Sequence, residues 1–160
     1  TARGPLSRLA VTVEADGTAM EKPLSASLAG QANVTGQPIR ATISRMEAAL
    51  AEDRVVLNQA LQITARGSTV ALKGLDVALP GEGRIAGDLT SLGGPLTGDI
   101  SLSMPDLAIL RRLADVPLVS GSLAAEATFD TRRQAAATVA GRNIVFEGVE
   151  ATGDVSAETG

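Results

Sequence analysis

Leu96-Thr97-Gly98-Asp99-Ile100-Ser101-Leu102-Ser103-Met104 sets the reading of the chain. Leu96, Ile100, Leu102 and Met104 alternate with Thr97, Asp99, Ser101 and Ser103. A period of two places successive side chains on opposite faces of a strand, so one face is apolar and the other is solvated. Working outward, the pattern recurs. Upstream, Ile85 and Leu89 alternate with Arg84, Asp88 and Thr90. Leu75, Val77 and Leu79 alternate with Asp76 and Ala78, and Leu61 and Ile63 with Gln62 and Thr64. Downstream, Leu123, Ala125, Ala127 and Phe129 alternate with Ser122, Glu126, Thr128 and Asp130. Ile144 and Phe146 alternate with Asn143 and Glu147, and Val149, Ala151 and Val155 close the series. Near the start, Leu9, Val11 and Val13 behave likewise, as do Ile39, Ala41 and Ile43.

Turn-forming residues separate these runs: Asp16-Gly17, Gly36 to Pro38, Arg66-Gly67-Ser68, Gly81-Glu82-Gly83, Gly93-Gly94-Pro95 and Gly141-Arg142-Asn143. Weaker runs at 24–28, 32–34, 54–57, 69–72 and 134–140 fill the gaps. Strand starts about 8–12 residues apart indicate an all-β chain with short meander connections. Residues 45–53 contain strong helix formers, but the connections are too short for a helix to pack, and the expectation is strand to about Ala49 followed by a turn. The one exception to alternation is Pro105-Asp106-Leu107-Ala108-Ile109-Leu110-Arg111-Arg112-Leu113-Ala114. Leu107, Leu110 and Leu113 recur every third residue, Asp106 can cap the start and Pro117 stops any extension. A short helix near 106–114 is expected, crossing over the sheet.

Composition excludes much. The 160 residues carry 14 Lys+Arg against 18 Asp+Glu and a net charge of −4, with no His, Cys, Trp or Tyr and two Phe. No Ser–His dyad, thiol nucleophile or zinc site of the usual ligands can be built. Two Phe offer no platform for stacking bases, and a net negative domain is a poor phosphate binder, so no nucleic-acid partner is expected. No stretch of about 20 apolar residues can span a bilayer as a helix. The chain reads as a single β-rich segment, residues 1–160, excised from a longer protein, with any membrane anchor outside it.

Individual polar residues point to no chemistry. Asp88 and Asp99 occupy solvated strand positions without a partner group for acid–base work. Arg111-Arg112 and Arg132-Arg133 read as solvated turns and faces, and Gly81-Glu82-Gly83 lacks the Lys-Ser/Thr and following helix of a phosphate loop. No catalytic residue, metal or cofactor is expected.

About a dozen one-sided strands and a single short helix leave two arrangements. The sheet closes on itself as a sandwich or barrel, or it curls into an open trough that holds an apolar ligand. The inward positions are aliphatic and small. Such a lining suits acyl chains, which need only dispersion and exclusion from water, at about 0.8 kcal/mol per buried methylene. A free sheet edge could also template a strand from a partner.

Over residues 83–130 the wording is more specific. Gly94–Leu102 has the form G-x-L-x-G-x-[LI]-x-L. Asp106-Leu107 to Leu110 then gives a D-L-x-x-L segment, Val116-Pro117-Leu118 an apolar-Pro-Leu step, and Gly121-Ser122-Leu123 a second G-x-L. Residues 54–82 add a Leu-x-Gln step, a Gly turn, an L-x-V-x-L strand and a Gly-x-Gly turn, departing from the pattern at Ala60, where Pro is common. In this order the motifs resemble the AsmA-like superfamily, and within it the TamB type of translocation-and-assembly-module subunit. The resemblance covers about half of the chain. It implies a taco-like β-groove in a periplasmic protein, anchored in the inner membrane and reaching an outer-membrane barrel partner of the TamA type. The implied roles are phospholipid transport between the membranes and assembly or secretion of outer-membrane proteins, including autotransporters. Phospholipid acyl chains would lie on the apolar positions Leu61, Ile63, Leu75, Val77, Leu79, Ile85, Leu89, Leu96, Ile100, Leu102, Met104, Leu123, Ala125, Ala127, Phe129, Ile144 and Phe146. Two other readings remain open: a scaffold that holds unfolded outer-membrane protein strands without lipid, and a structural segment of a surface-exposed β-rich passenger.

Overall fold

The computed structural model describes residues 1–19, 21–109, 118–130, 134–146 and 149–159. The chain forms one curled sheet of twelve strands, all paired antiparallel. In chain order they are β1 (Ala2–Arg3), β2 (Leu9–Ala19), β3 (Lys22–Asn33), β4 (Ile39–Leu50), β5 (Asp53–Leu57) and β6 (Leu61–Arg66), then β7 (Thr69–Leu79), β8 (Gly83–Leu92), β9 (Leu96–Met104), β10 (Leu118–Phe129), β11 (Ala135–Phe146) and β12 (Val149–Thr159). Strands follow one another across the sheet in chain order, except that β5 and β6 share one position between β4 and β7. A 3₁₀ turn at Leu6–Arg8 precedes β2.

Short loops produce this meander. Leu50 pairs with Asp53, and Arg66 with Thr69. Each hairpin loop is therefore two residues long, and such loops require positive φ. Ala51 and Gly67 supply it, at 55° and 57°. Residues 45–50 belong to β4 and the turn follows, as the short connections require. Two expected turns are absent. Asp16-Gly17 lies inside β2, where Asp16 pairs with Ser25 and Gly17 with Leu24. Gly141-Arg142-Asn143 lies inside β11, where the register shifts against β12 between Gly141 and Ile144. Asn143 there has φ 50°, so the strand takes up an extra residue as a bulge and continues.

Bulges also merge runs that look separate in the sequence. In β4 the register against β3 shifts between Arg45 and Ile43, and Ser44 Oγ donates to Ala29 O at 3.2 Å. In β7 it shifts between Leu72 and Leu75, around Gly74 at φ 74°. Between these two strands, Asn58-Gln59-Ala60 interrupts β5 and β6. The irregular positions thus form a row across three adjacent sheet positions. Bulges bend a strand and raise its twist, and the core sits at this bend. Leu57, Leu61 and Val77 are buried, with Ile43, Met46, Val55, Ile63, Leu72, Leu75 and Leu79 packed against them. Paired residues share a face, and the registers place all ten on one side, the inner face of the curl.

The helix expected near 106–114 lies mostly outside the described residues, as do both Arg doublets. Its described start shows Asp106 Oδ1 accepting from Ala108 N at 2.9 Å, the contact expected of a capping side chain. Leu107 and Ile109 are buried, and Leu107 N donates to Gly121 O at 2.9 Å. Ile109 lies against Gly81, where an added Cβ would come within 3.2 Å of its own Cβ. The described residues 106–109 therefore pack against Gly81 in the turn between β7 and β8 and against Gly121 of β10.

Candidate functional site: an open apolar trough

Register converts alternation into a surface. Val77 pairs with Ile85, Ile85 with Leu102, Leu102 with Ala125, Ala125 with Val139 and Val139 with Val155. The next row runs from Leu75 through Gly87, Ile100 and Ala127 to Ala137 and Ala157. A third runs from Leu72 through Leu89, Gly98 and Phe129 to Ala135. The face continues toward the N-terminus through Met46, Leu28 and Val13. No residue in these rows is ionisable. The outer face carries the charge, with Glu14, Glu47, Arg84, Glu126, Asp154 and Glu158 at the intervening positions.

Much of the inner face is open. Among the described residues, the buried apolar side chains are only Leu57, Leu61, Val77, Leu107 and Ile109. Val13 is 50% exposed, Val139 41% and Val155 69%. The chain exposes 10366 Å² in all, whereas a closed globular monomer of its mass exposes roughly 7,500 Å². A sandwich or closed barrel would hide these side chains; a single curled layer leaves them in contact with water.

An apolar concavity of about 270 Å³ lies over β8–β11. It is lined by Ile85, Ile100, Leu102, Ala125, Ala127, Ala137 and Val139; the strands also bring Ser101, Glu126 and Thr138 to it, at positions whose side chains alternate to the outer face. Small residues make it: in the rows of Val77 and Leu75, β10 carries Ala125 and Ala127, and β11 carries Ala137 in the row of Leu75. Glycine brings the strands together here. Gly98 has φ 124°, and a Cβ at this position would overlap Asp88 O of the neighbouring strand. A side chain at 98 would push β8 and β9 apart.

The sequence-predicted lining residues other than Phe146 map to this face, in different settings. Leu61 and Val77 are core, and Ile63, Leu75 and Leu79 pack on them. Ile85, Ile100, Leu102, Ala125 and Ala127 line the concavity. Leu89, Met104, Leu123, Phe129 and Ile144 are half-buried along the same rows, and Leu96 stands at the rim, 38% exposed. The backbone of Phe146 pairs with Val149, and its side chain lies outside the described residues. Sequence reasoning misses Ala137 and Val139 as lining. Their signal is the alternation of Ala135, Ala137 and Val139 with Ala136 and Thr138, weak because alanine stands on both sides.

The outer face holds a cluster that alternation alone does not reveal. Arg84 Nε donates to Asp76 Oδ1 at 2.8 Å and Arg84 NH2 to Oδ2 at 2.7 Å, a bidentate pair. Asn58 Nδ2 donates to Asp76 Oδ1 at 2.9 Å, and Asn58 N to Asp76 O at 2.8 Å. The Arg84 hydrogen bonds, then that of Asn58, hold the Asp76 carboxyl below its ordinary range; burial opposes them with smaller effect. Arg84 is held above its own range by the same contact. The cluster pins the β5–β6 interruption to β7. Asp88 also fastens backbone. It is exposed, as expected of a solvated position, but its Oδ1 accepts from Gly74 N at 2.6 Å at the β7 bulge. Among the described residues, no three Asp or Glu side chains gather where a metal ion could be held, and no helix is long and apolar enough to cross a membrane.

Among the described residues, the inner rows present apolar side chains to water along a continuous concave face, a surface whose chemistry suits contact with an apolar chain. Comparison of the chain with protein-family models, curated proteins and solved structures finds no match.

Proposed function

We propose that this chain is a lipid-handling segment of an AsmA-like, TamB-type protein, in which acyl chains of phospholipids lie along the trough while headgroups stay in water. The observation that carries the reading is the open apolar face over the alanine floor of β8–β11, continuous with rows that cross the sheet. Each methylene taken from water contributes up to about 0.8 kcal/mol, less where one side stays wet. Transfer along such a surface is passive: the rows from β7 to β12 are apolar and carry no ionisable side chain, so no strong directional contact fixes a chain in one place. The sequence motifs support the wider setting of a periplasmic protein anchored in the inner membrane that works with an outer-membrane barrel in lipid transport and outer-membrane protein assembly.

Photo-reactive residues placed at Leu102 and Leu123 in the full-length protein in cells test this, with Ser101 on the outer face as control. Phospholipid adducts are expected at the first two and not at Ser101, and Leu102→Glu is expected to block lipid passage while the purified segment keeps its β-sheet spectrum. Equal adducts at Ser101, or none at Leu102 and Leu123, overturn the reading.

A further inference from the structure

The two rims of the trough differ in charge. The turns from β3 to β4, β6 to β7 and β8 to β9 lie along one rim, and those from β2 to β3, β4 to β5 and β7 to β8 along the other. On the first rim, residues 32–40, 64–70 and 90–97 contain Arg40 and Arg66 and no Asp or Glu. On the second, Glu21, Glu52, Asp53 and Glu82 stand in or beside the turns, against Lys22 and Arg54, and Arg54 is drawn to Glu47 at 3.4 Å. Register puts the two arginines together. Arg40 pairs with Thr64, and Arg66 follows two residues further along the same face of β6. Such diagonal neighbours lie roughly 7–8 Å apart. Both are exposed, and neither takes part in a salt bridge among the described residues. The inner side of this rim is mostly apolar. Its row runs Ile39, Ala65, Val70, Ser91, Leu96, with Ile39 43%, Val70 45% and Leu96 38% exposed.

We propose that the Arg40–Arg66 rim holds the phosphate of a phospholipid whose acyl chain lies on the inner face beside it. This rests on the acyl-chain reading of the trough and adds where the headgroup goes. Guanidiniums are planar forks of N–H donors that match phosphate oxygens. Two of them side by side, with no carboxylate on their rim, repel each other until an anion stands between them. The opposite rim repels the same anion through Glu21, Glu52 and Glu82, so charge selects one side of the trough. A soluble phosphate gains only the charge contacts. A phospholipid also covers Ile39 and Val70 with its chain, and apolar area taken from water favours it over the free anion. The lipid therefore lies in one orientation across the trough, phosphate at the rim of the β3–β4 and β6–β7 turns and chain toward the bend.

The test displaces a fluorescent acyl probe from the 160-residue chain at low salt. The competitors are lauroyl lysophosphatidylglycerol and, separately, lauroyl monoglyceride, both as monomers. The phospholipid is expected to compete about fivefold better, little more than a factor of two for each exposed ion pair. Arg40→Gln combined with Arg66→Gln is expected to abolish that difference and leave the monoglyceride unchanged. Both side chains are exposed and unpaired among the described residues, so the variant keeps its fold. A lysophospholipid with a photo-reactive headgroup is expected to label residues 64–69 and not 79–83. Equal competition by the two lipids, a difference that survives the double variant, or headgroup labelling at 79–83 overturns the proposal and leaves the acyl-chain reading standing. Loss of the difference in equimolar glycerophosphate also overturns it, because the rim would then hold a free phosphate as well as a lipid. Binding of neither probe nor lipid overturns both.

Discussion

The β4–β8 region and the β9–β12 region share one alternating pattern and one continuous inner face, yet only the first has a core. Around β5–β7 the inner positions are Leu, Ile, Val and Met, the strands carry a row of bulges, and Leu57, Leu61 and Val77 are buried. From β10 to β12 the inner positions are mostly Ala, Gly and Val, and Val139 and Val155 stay exposed. The difference teaches that alternation decides which face is apolar, whereas side-chain volume and the placing of bulges decide whether that face is filled. A single layer buries a residue only where it bends sharply around large side chains. Where the residues are small, the same curl leaves a hollow.

The largest effect should separate the two regions directly. Leu61→Ala removes a buried side chain at the bend and is expected to cost about 2–4 kcal/mol. Val139→Ala removes one that is 41% exposed and is expected to cost less than about 1 kcal/mol. Urea unfolding of both variants measures the contrast. Equal costs would mean that β9–β12 is as tightly packed as β4–β8.

Alternation makes the β-class, most strand positions and the apolar face legible, because a period of two needs only a few residues to read. Bulges are not legible as bulges. In β7 the apolar positions change from even (Val70, Leu72) to odd (Leu75, Val77). In β4 they change from odd (Ile39, Ala41, Ile43) to even (Met46, Ala48, Leu50). A one-residue phase change without a turn-length gap is the mark of a bulge; taken locally, it resembles the end of one strand and the start of another. Asp16-Gly17 misleads for the opposite reason: turn-favouring residues sit in a strand whose cross-strand neighbours, Ser25 and Leu24, hold it extended. The Asp76 cluster is hidden because three residues distant in the chain meet only after β5 and β7 pair. The small-residue hollow is legible in part, since alanine marks a shallow position only once its neighbours across the sheet are known.

A smaller effect tests what fastens the bend. Asp76 is held in its charged form by Arg84 and Asn58, so its carboxyl binds a proton less readily folded than unfolded. Its contribution to stability is full above its unfolded value near 4 and is lost as pH falls through the lower folded value. Arg84 is 59% exposed, so water and salt screen the pair, and the effect stays below that of Leu61→Ala. Asp76→Asn is expected to lower the urea midpoint at pH 7, with the difference from the parent chain shrinking as pH drops below 4. A difference that is constant with pH would mean that the ion pair does not hold the β5–β6 interruption in place.

The smallest change in stability sharpens the comparison most for function. Ala127→Leu adds bulk to the floor of the hollow, beside Ile100 and Ala137. In a filled core such an enlargement costs about 1–3 kcal/mol. Over β9–β11 the added side chain has free space above it and covers apolar neighbours, so unfolding free energy is expected to change by less than about 1 kcal/mol. The same side chain takes up space in a concavity of about 270 Å³, and on the proposed reading binding of a fluorescent acyl probe falls about tenfold. The two readouts must part company. A large loss of stability would show that the hollow is closed by packing, and unchanged probe binding with unchanged stability would show that acyl chains lie elsewhere on the face.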